Sequence, residues 1–211
     1  MTPAEKIAAW ADRLRDISAM GGRFARSIYD THNYQAIQDI AMAMLALATD
    51  TPLEEIEPLR APIFSHPTPF TGGDGAVIDP TDGRLLLIRR ADSGQWAMPG
   101  GALEVGETPA EGVIREVREE TGIICEANRL AGVFDSRLCG TTSRHHLYHF
   151  VFLCTPLNRA APVPPLTPGE VLETAWVGAD EIPADLYPGH AVRIANAFRV
   201  WRGEAETFFD H

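Results

Sequence analysis

The chain has 211 residues, of which 45% are hydrophobic, and a formal net charge of -11. A chain of this length and composition can bury the core of one globular domain and carry a small appended domain. The acidic balance gives no general attraction for nucleic-acid phosphate or anionic lipid, and no apolar run reaches the roughly 18 residues that span a bilayer. Nucleic acid and membrane are therefore disfavoured as partners. The three cysteines lack metal-ligand spacing and fit a reducing cytoplasm, which is the expected location.

The first 60 residues show the apolar spacing of amphipathic helices. Thr2-Pro3-Ala4-Glu5 is a capping box with proline at the first helical position, and it predicts a helix that ends at Gly21-Gly22. A second helical pattern covers residues 34–48, and a third, shorter helix is predicted from Thr51. Two such helices alone cannot bury both of their apolar faces at useful stability. The sequence predicts a small helical domain over residues 1–61 that packs against another surface.

The pattern changes after the helical region. Three prolines between residues 62 and 69 predict an extended linker, and a second domain is predicted over residues 70–211. Two apolar runs flank Asp82-Gly83, a dipeptide that favours a tight turn, and together they predict a β-hairpin. Further strands are predicted at residues 146–154 and 174–177, and a closing helix at residues 190–201.

The best-bounded predicted element is a helix from about Pro109 to Thr121. A capping box beginning at Thr108 starts it, and Gly122 supplies the left-handed residue that ends it.

Three glutamates on this helix indicate a metal site. Glu116, Glu119 and Glu120 are spaced i, i+3 and i+4, so their carboxylates share one helix face. Like charges at this spacing repel, whereas Mg²⁺ is bound through carboxylate oxygens and can grip a diphosphate group. The alternative is an ordinary solvated helix face. It does not explain Gly100 and Gly101, whose missing side chains let the backbone approach a metal ion or phosphate.

The residues around the helix follow the order G-x5-E-x7-R-E-U-x-E-E-x-G-U, where U is aliphatic. The fixed positions are Gly101, Glu107, Arg115, Glu116, Val117, Glu119, Glu120, Gly122 and Ile123. This order resembles the Nudix box at every fixed position, and residues 70 to about 200 are similar to a Nudix hydrolase domain. The resemblance implies an α/β fold, the Nudix α/β/α sandwich with a mixed sheet, preceded here by a small helical N-terminal domain.

The resemblance also implies roles for individual residues. In the family, the box glutamates bind two or three Mg²⁺ or Mn²⁺ ions and water attacks phosphorus. Carried over to this chain, the metal ligands would be the carboxylates of Glu116, Glu119 and Glu120 and the backbone carbonyl of Gly100. Arg115 would orient the glutamates, while Glu107 and Gly122 would support the loop and the end of the helix.

Residues outside the box complete the expected site. Family members often use a further acid from a later loop, and Glu170 and Glu173 are the two candidates, with a plain surface carboxylate as the alternative for each. Arg89 and Arg90 end a predicted strand near the site, and either one is a candidate to bind phosphate, together with the backbone of Gly100 and Gly101.

The helical front resembles the N-terminal domain that precedes some Nudix domains of nucleoside-diphosphate-X hydrolases. Residues 10–14, 27–30 and 34–37 carry this resemblance. It implies a small-molecule nucleotide substrate such as ADP-ribose or CDP-choline, and a homodimer in which this domain helps to build the contact.

The predicted activity is metal-dependent hydrolysis of the diphosphate linkage of a nucleoside diphosphate joined to a second group, such as a sugar. The products would be a nucleoside monophosphate and a phosphorylated partner. A sanitising nucleoside triphosphate pyrophosphohydrolase stays open, because the box recognises little beyond the metal-diphosphate unit. Removal of the 5′ end of RNA is disfavoured by the acidic surface. A non-catalytic Nudix-like ligand sensor is disfavoured by the intact glutamates.

Overall fold

The computed structural model describes residues 1–60, 68–141 and 146–211. Most of the linker predicted at residues 62–69 therefore lies outside the described residues. The chain forms two compact units, one of residues 1–68 with 104–106 and one of residues 69–103 with 107–211. In the described parts of the chain, no helix combines the length and the apolar character that crossing a bilayer requires.

The first unit consists of helices. They are α1 (Pro3–Phe24), α2 (Ile28–Thr49), the short α3 (Leu53–Ile56) and a 3-10 turn at Glu57–Leu59. The capping box predicted at Thr2 is formed, and a second one at Ser27 starts α2. The small core centres on Ala41 and Met42 of α2, which are fully buried.

The predicted end of the first helix is wrong, because α1 continues through Gly21 and Gly22 to Phe24. A Cβ on Gly21 would lie only 1.9 Å from the ring of Tyr34 on α2. The missing side chain thus lets α1 and α2 approach each other closely, so this glycine serves helix packing and does not end the helix.

The second unit contains two sheets flanked by helices. Its strands are β1 (Phe70–Val77), β2 (Leu85–Arg90), β3 (Trp96–Ala97), β4 (Gly100–Ala102), β5 (Cys125–Asp135), β6 (Leu147–Pro156), β7 (Val171–Val177) and β8 (Phe208–Phe209), and its helices are α4 (Pro109–Thr121) and α5 (His190–Trp201). The larger sheet is mixed, with the order β4-β1-β6-β5-β8, and the smaller has the order β3-β2-β7.

The predicted β-hairpin is only partly formed. Gly83 has the positive φ of 69° that the turn requires, and a single bridge joins Ile78 to Leu85. Beyond this bridge the strands separate, since β1 pairs with β4 and β6 whereas β2 pairs with β3 and β7. The local turn signal was correct, but the two runs belong to different sheets.

Two helices cover opposite faces of the larger sheet. Neighbouring residues on a strand point to opposite faces, and Ala76 packs in the core cluster that contains α5, whereas Val77 packs in the one that contains α4. The predicted bounds of α4 and α5 and the predicted strands at β6 and β7 are confirmed, with shifts of one to three residues at the strand ends. The α/β architecture behind a helical front is therefore confirmed.

Candidate active site

The segment from Met98 to Gly101 lies between β1 and α4. Asp74 of β1 is the register partner of Gly100, and the Gly75 amide donates a hydrogen bond of 2.8 Å to the Pro99 carbonyl. On the other side, the Gly100 amide donates to Oε2 of Glu120 at 2.8 Å. The segment is thus held against the glutamate-bearing helix by its own backbone.

Arg115 connects three parts of this region. Its Nε and Nη2 atoms donate to the two oxygens of Glu107 at 3.0 and 2.9 Å, and Nη2 also donates to the Ala102 carbonyl at 3.1 Å. Its Nη1 atom donates to Glu116 at 2.8 Å and to Glu119 at 3.2 Å. A single guanidinium therefore ties the loop before α4 and strand β4 to two of the three glutamates.

The glycines lie against the carboxylates, as the sequence predicted. A Cβ on Gly101 would lie 2.8 Å from the carboxylate of Glu116. A Cβ on Gly100 would lie 2.2 Å from the Gly73 carbonyl oxygen. At α4's end, Gly122 has a φ of 71° and its amide bonds to the Arg118 carbonyl, which fits the helix-ending role. Any side chain at Gly100 or Gly101 would push the loop away from its neighbours.

Burial and mutual repulsion raise the pKa values of two of the glutamates. Burial is the main cause that raises the pKa of Glu120 to about 8. The negative charges of Glu116 and Glu170 contribute to this increase, whereas the hydrogen bond from the Gly100 amide opposes it. Burial also raises the pKa of Glu116, although Arg115 opposes the shift. The site therefore concentrates negative charge that it only partly compensates, a situation that a bound cation relieves.

The donor set fits a hard divalent cation. Every candidate ligand is an oxygen, from the carboxylates of Glu116, Glu119 and Glu120 or from the Gly100 backbone, and Mg²⁺ and Mn²⁺ prefer such ligands. As placed, no three acidic, histidine or cysteine side chains of residues 1–60, 68–141 and 146–211 form a metal-holding group. The glutamates instead engage Arg115 and the Gly100 amide. Coordination would require them to turn from these partners.

The two late-loop candidates occupy different positions. The Glu119 carbonyl accepts hydrogen bonds from the Leu166 and Thr167 amides at 2.8 and 3.2 Å, which fastens the late loop to α4. The Glu170 carbonyl accepts from the Ala91 amide at 2.9 Å, and its charge acts on Glu120. Glu173 instead pairs with Arg89 at 2.9 Å across β2 and β7. The negative charge of Glu170 thus acts on the buried Glu120, whereas Glu173 is paired with Arg89.

The two arginines at the end of β2 also differ. A β-bulge between them shifts the register with β7. Arg89 donates to the Gly94 carbonyl at 2.9 Å as well as to Glu173. Arg90 binds Asp92 at 2.7 Å, lies 4.6 Å from the ring centroid of Tyr187, and acts electrostatically on Glu120. Arg90 is therefore the arginine of the pair that lies near the acidic site.

Sequence reasoning missed a buried polar cluster behind the site. It contains the buried residues Asp74 on β1 and His190 and Arg193 on α5, with the partly exposed His149 of β6 beside Asp74. Two signals were available: Asp74 is charged within a strand that is otherwise buried, and Arg193 lies beside Ile194 on a helix whose pattern is apolar. A charged residue at a core position is rarely tolerated without a partner.

Comparison with known proteins agrees with this geometry. Residues 69–197 match the model of the NUDIX domain, and residues 5–59 match that of the UDP-X-like, N-terminal oligomerisation domain. The Bacillus subtilis protein YjhB, provisionally named an ADP-ribose pyrophosphatase, is 30% identical over 70% of each chain. The fold is similar to that of a UDP-X diphosphatase, with 24% identity, a TM-score of 0.62, and coverage of 99% of this chain and 100% of the other. An ADP-ribose pyrophosphatase from Streptococcus suis gives 27% identity and a TM-score of 0.57 over 68% of this chain and all of the other.

The chain therefore belongs to the Nudix family. It is a Nudix pyrophosphohydrolase whose catalytic domain follows a helical domain of the UDP-X-like type, which confirms both resemblances predicted from the sequence. Nudix hydrolases generally act with divalent metal ions.

Proposed function

We propose that this protein hydrolyses, with two or three Mg²⁺ or Mn²⁺ ions, the diphosphate linkage of a nucleoside diphosphate joined to another group. The observation that carries the proposal is the arrangement around Arg115, which binds Glu119 and holds Glu116 beside Gly101, while Glu120 lies against the Gly100 amide. Bound ions would neutralise charge that develops on the diphosphate. The ligands would be the three glutamates and the Gly100 carbonyl.

The chain's own residues would then position the substrate and move a proton. Glu170 is exposed in a turn and its charge acts on Glu120, which suits a carboxylate that accepts a proton from the attacking water. The water oxygen forms a bond to phosphorus as the bridging phosphoanhydride bond breaks. Arg90, stacked on Tyr187, would bind a phosphate oxygen. Gly100 and Gly101 offer their backbone at the same place.

The substrate class we favour is ADP-ribose, CDP-choline or a nucleotide sugar. Two relatives named as ADP-ribose pyrophosphatases support it, the structure from Streptococcus suis and a Methanocaldococcus jannaschii protein that is 37% identical over 43% of this chain and 52% of its own length. The competing candidate is a nucleoside triphosphate pyrophosphohydrolase, because the box recognises little beyond the metal-diphosphate unit. A MutT-like protein of Streptomyces ambofaciens is 40% identical over 57% of this chain and 72% of its own length.

Product analysis tests the proposal. The purified protein is incubated with ADP-ribose, CDP-choline, nucleotide sugars and nucleoside triphosphates, each with Mg²⁺, with Mn²⁺ or with excess EDTA. We expect a nucleoside monophosphate and a phosphorylated partner in the metal-containing reactions alone. Release of pyrophosphate from triphosphates as the fastest reaction would instead favour the competing candidate.

Substitution of the glutamates tests the metal ligands. Glu119→Gln and Glu120→Gln should each lower kcat at least about a hundredfold, because each removes a charged ligand that stabilises the transition state. The apo protein should stay folded, and relief of repulsion should keep or raise its Tm. Full turnover in either variant, or full turnover of the wild type in EDTA, would contradict the assignment.

We also propose that the chain forms a homodimer through its helical unit. Trp10 and Ile17 are seven residues apart on α1, Ile40 and Leu47 are seven apart on α2, and all four are 45% or more exposed in the single chain. Residues at this spacing lie on one helix face. Exposed apolar faces of this kind mark association surfaces, and the domain description of residues 5–59 names oligomerisation.

Light scattering tests the dimer. We expect twice the chain mass for the wild type and a monomer for the double variant Ile17→Glu/Leu47→Glu. Lys6→Glu, an exposed charge change on α1, is the control and should stay dimeric. A monomeric wild type at micromolar concentration would defeat the proposal.

A cytoplasmic location is proposed as well. Cys125, Cys139 and Cys154 are buried free thiols, which is typical of proteins in a reducing compartment.

A further inference from the structure

The first turn of α5 supports the glycine-containing segment from the sheet face opposite α4. His190 is the first residue of α5, is only 4% exposed, and its Nδ1 atom accepts a hydrogen bond of 3.2 Å from the Met98 amide. The neighbouring Pro99 carbonyl bonds to β1, and the Gly100 amide bonds to Glu120 of α4. The backbone of the three consecutive residues Met98, Pro99 and Gly100 is therefore held by α5, β1 and α4, respectively.

A buried ion pair fixes His190 and β1 relative to each other. Arg193 lies one turn further along α5, donates to the Gly189 carbonyl at 3.1 Å, and binds the carboxylate of Asp74. Asp74 is also the register partner of Gly100, and its Oδ1 atom lies 3.1 Å from where a Cβ on Gly100 would stand. The same helical turn thus contacts Met98, two residues before Gly100, and Asp74 on β1, the strand that pairs with Gly100.

The chemistry of His190 suits an acceptor. A ring nitrogen accepts a hydrogen bond only when it carries no proton, and burial together with the charge of Arg193 lowers the pKa of His190 to about 3. Met98 is only 1% exposed, so water does not readily replace the ring as a partner for its amide.

We propose that His190 is a positioning residue for the Gly100 carbonyl, acting through the Met98 amide, with Arg193 and Asp74 holding it in place. This inference rests on the proposed role of Gly100 as a metal ligand. Without the acceptor, the backbone at Met98 gains freedom to shift, and through Pro99 the Gly100 carbonyl is displaced from the position that a metal ion requires. Groups that orient a ligand in this way affect metal affinity and turnover by about 10-fold to 100-fold.

The test compares three full-length variants by Mn²⁺ binding to the metal-free protein, followed by electron paramagnetic resonance of free Mn²⁺, and by kcat at saturating Mn²⁺. His190→Leu removes the acceptor at similar volume. His190→Asn keeps an oxygen near the Nδ1 position. Asn196→Leu is the matched control, because Asn196 lies on the same helix, is 8% exposed, and donates a buried hydrogen bond of 3.1 Å to the Ala131 carbonyl of β5, away from the segment.

We expect His190→Leu to raise the Kd for Mn²⁺ about tenfold and to lower kcat about tenfold or more, and His190→Asn to stay within about threefold of the wild type. Asn196→Leu should lose stability to a similar extent but keep wild-type Mn²⁺ affinity and kcat. Wild-type affinity and kcat in a folded His190→Leu, or equal losses in Asn196→Leu, would overturn the inference.

Two further measurements keep the test decisive. If His190→Leu does not fold, His190→Gln replaces it, since the longer side chain aims its amide toward the Nε2 position and away from Met98; equal behaviour of the Asn and Gln variants would then overturn the inference. Glu120→Gln is measured in parallel. If the wild type binds Mn²⁺ no better than Glu120→Gln, the proposed metal site itself fails and this inference fails with it.

Discussion

Arg115 and Glu107 form a two-pronged ion pair, with Nε and Nη2 of the guanidinium 3.0 and 2.9 Å from the two carboxylate oxygens. Because the third nitrogen reaches Glu116 and Glu119, the loop before α4 and the acidic face of α4 depend on one side chain. Gly112 leaves room for this pair, since a Cβ there would lie 2.5 Å from the Glu107 carboxylate. The geometry needs a planar, forked cation.

Arg115→Lys should therefore lower kcat at least about tenfold while the protein remains folded. A single ammonium group cannot bind both oxygens of Glu107 and also reach Glu116, Glu119 and the Ala102 carbonyl. Steady-state kinetics with the best substrate of the product panel measures the effect. Arg118→Lys is the control, because Arg118 is exposed on the same helix, and it should keep wild-type turnover. Equal turnover in both variants would show that the fork is dispensable.

The bounds of α4 could be predicted because their causes are local. The capping box at Thr108 and the left-handed Gly122 lie within the helix ends that they define, and both act as the sequence indicates. The spacing of Glu116, Glu119 and Glu120 likewise sets their shared helix face without any tertiary information. The sequence alone was therefore sufficient to predict the bounds of α4 and the shared helix face of the three glutamates.

Other features depend on residues that are distant in sequence. The proposed preference for Glu170 over Glu173 rests on the tether of the late loop to the Glu119 carbonyl and on the bulge beside Arg90. The role of Gly21 depends on the ring of Tyr34. Such relationships arise only when separate elements pack, so periodicity and turn signals along the chain carry no record of them.

Glu170→Gln should lower kcat at least about tenfold with little change in Tm. The substitution removes a negative charge that acts on Glu120 but leaves the backbone hydrogen bond from the Ala91 amide in place. General base catalysis typically contributes a factor of about 10² to 10⁴. Kinetics and thermal unfolding of the same preparations measure both quantities.

Glu173→Gln is the matched control for this prediction. Its ion pair with Arg89 is exposed on both sides, so its loss should change the stability by less than about 1 kcal/mol and leave kcat unaltered. Negligible effects of both substitutions would mean that the box itself supplies the base, with Glu116 the next candidate. A larger loss of kcat in Glu173→Gln would reverse the assignment.

Gly21 and Gly22 should respond in opposite directions to alanine. At Gly21 the new methyl group would collide with the Tyr34 ring, so α1 and α2 must separate and the Tm should fall by several degrees. At Gly22 nothing lies within 4 Å of the added Cβ, so alanine should stabilise the helix by about 0.5–1 kcal/mol. Thermal unfolding of both variants measures this. Stabilisation by both would show that the close approach is not needed.

Asp79, in the turn between β1 and β2, should make the free energy of unfolding depend on pH in the acid range. Asp79 is 7% exposed, and its carboxylate accepts hydrogen bonds from the Thr81 amide and hydroxyl at 2.8 and 2.7 Å and from Arg159 at 2.6 Å. These bonds, led by that from Arg159, lower the pKa of Asp79 from 3.8 to about 2. The unfolded chain therefore takes up this proton more readily than the folded one between these two values. The stabilisation is fully present above pH 4 and is lost as the pH falls toward 2.

Asp79→Asn should accordingly lower the free energy of unfolding by about 1–2 kcal/mol at pH 7, because the charged hydrogen bonds are replaced by neutral ones. The difference from the wild type should shrink as the pH falls from 4 toward 2. Urea unfolding followed by tryptophan fluorescence at pH 7, 5 and 3 measures it. Asp82→Asn is the control, since Asp82 also binds Arg159 but its side chain is 39% exposed, and it should cost less than about 0.5 kcal/mol. A difference for Asp79→Asn that stays constant across this range would assign the effect to the turn geometry and not to the charge.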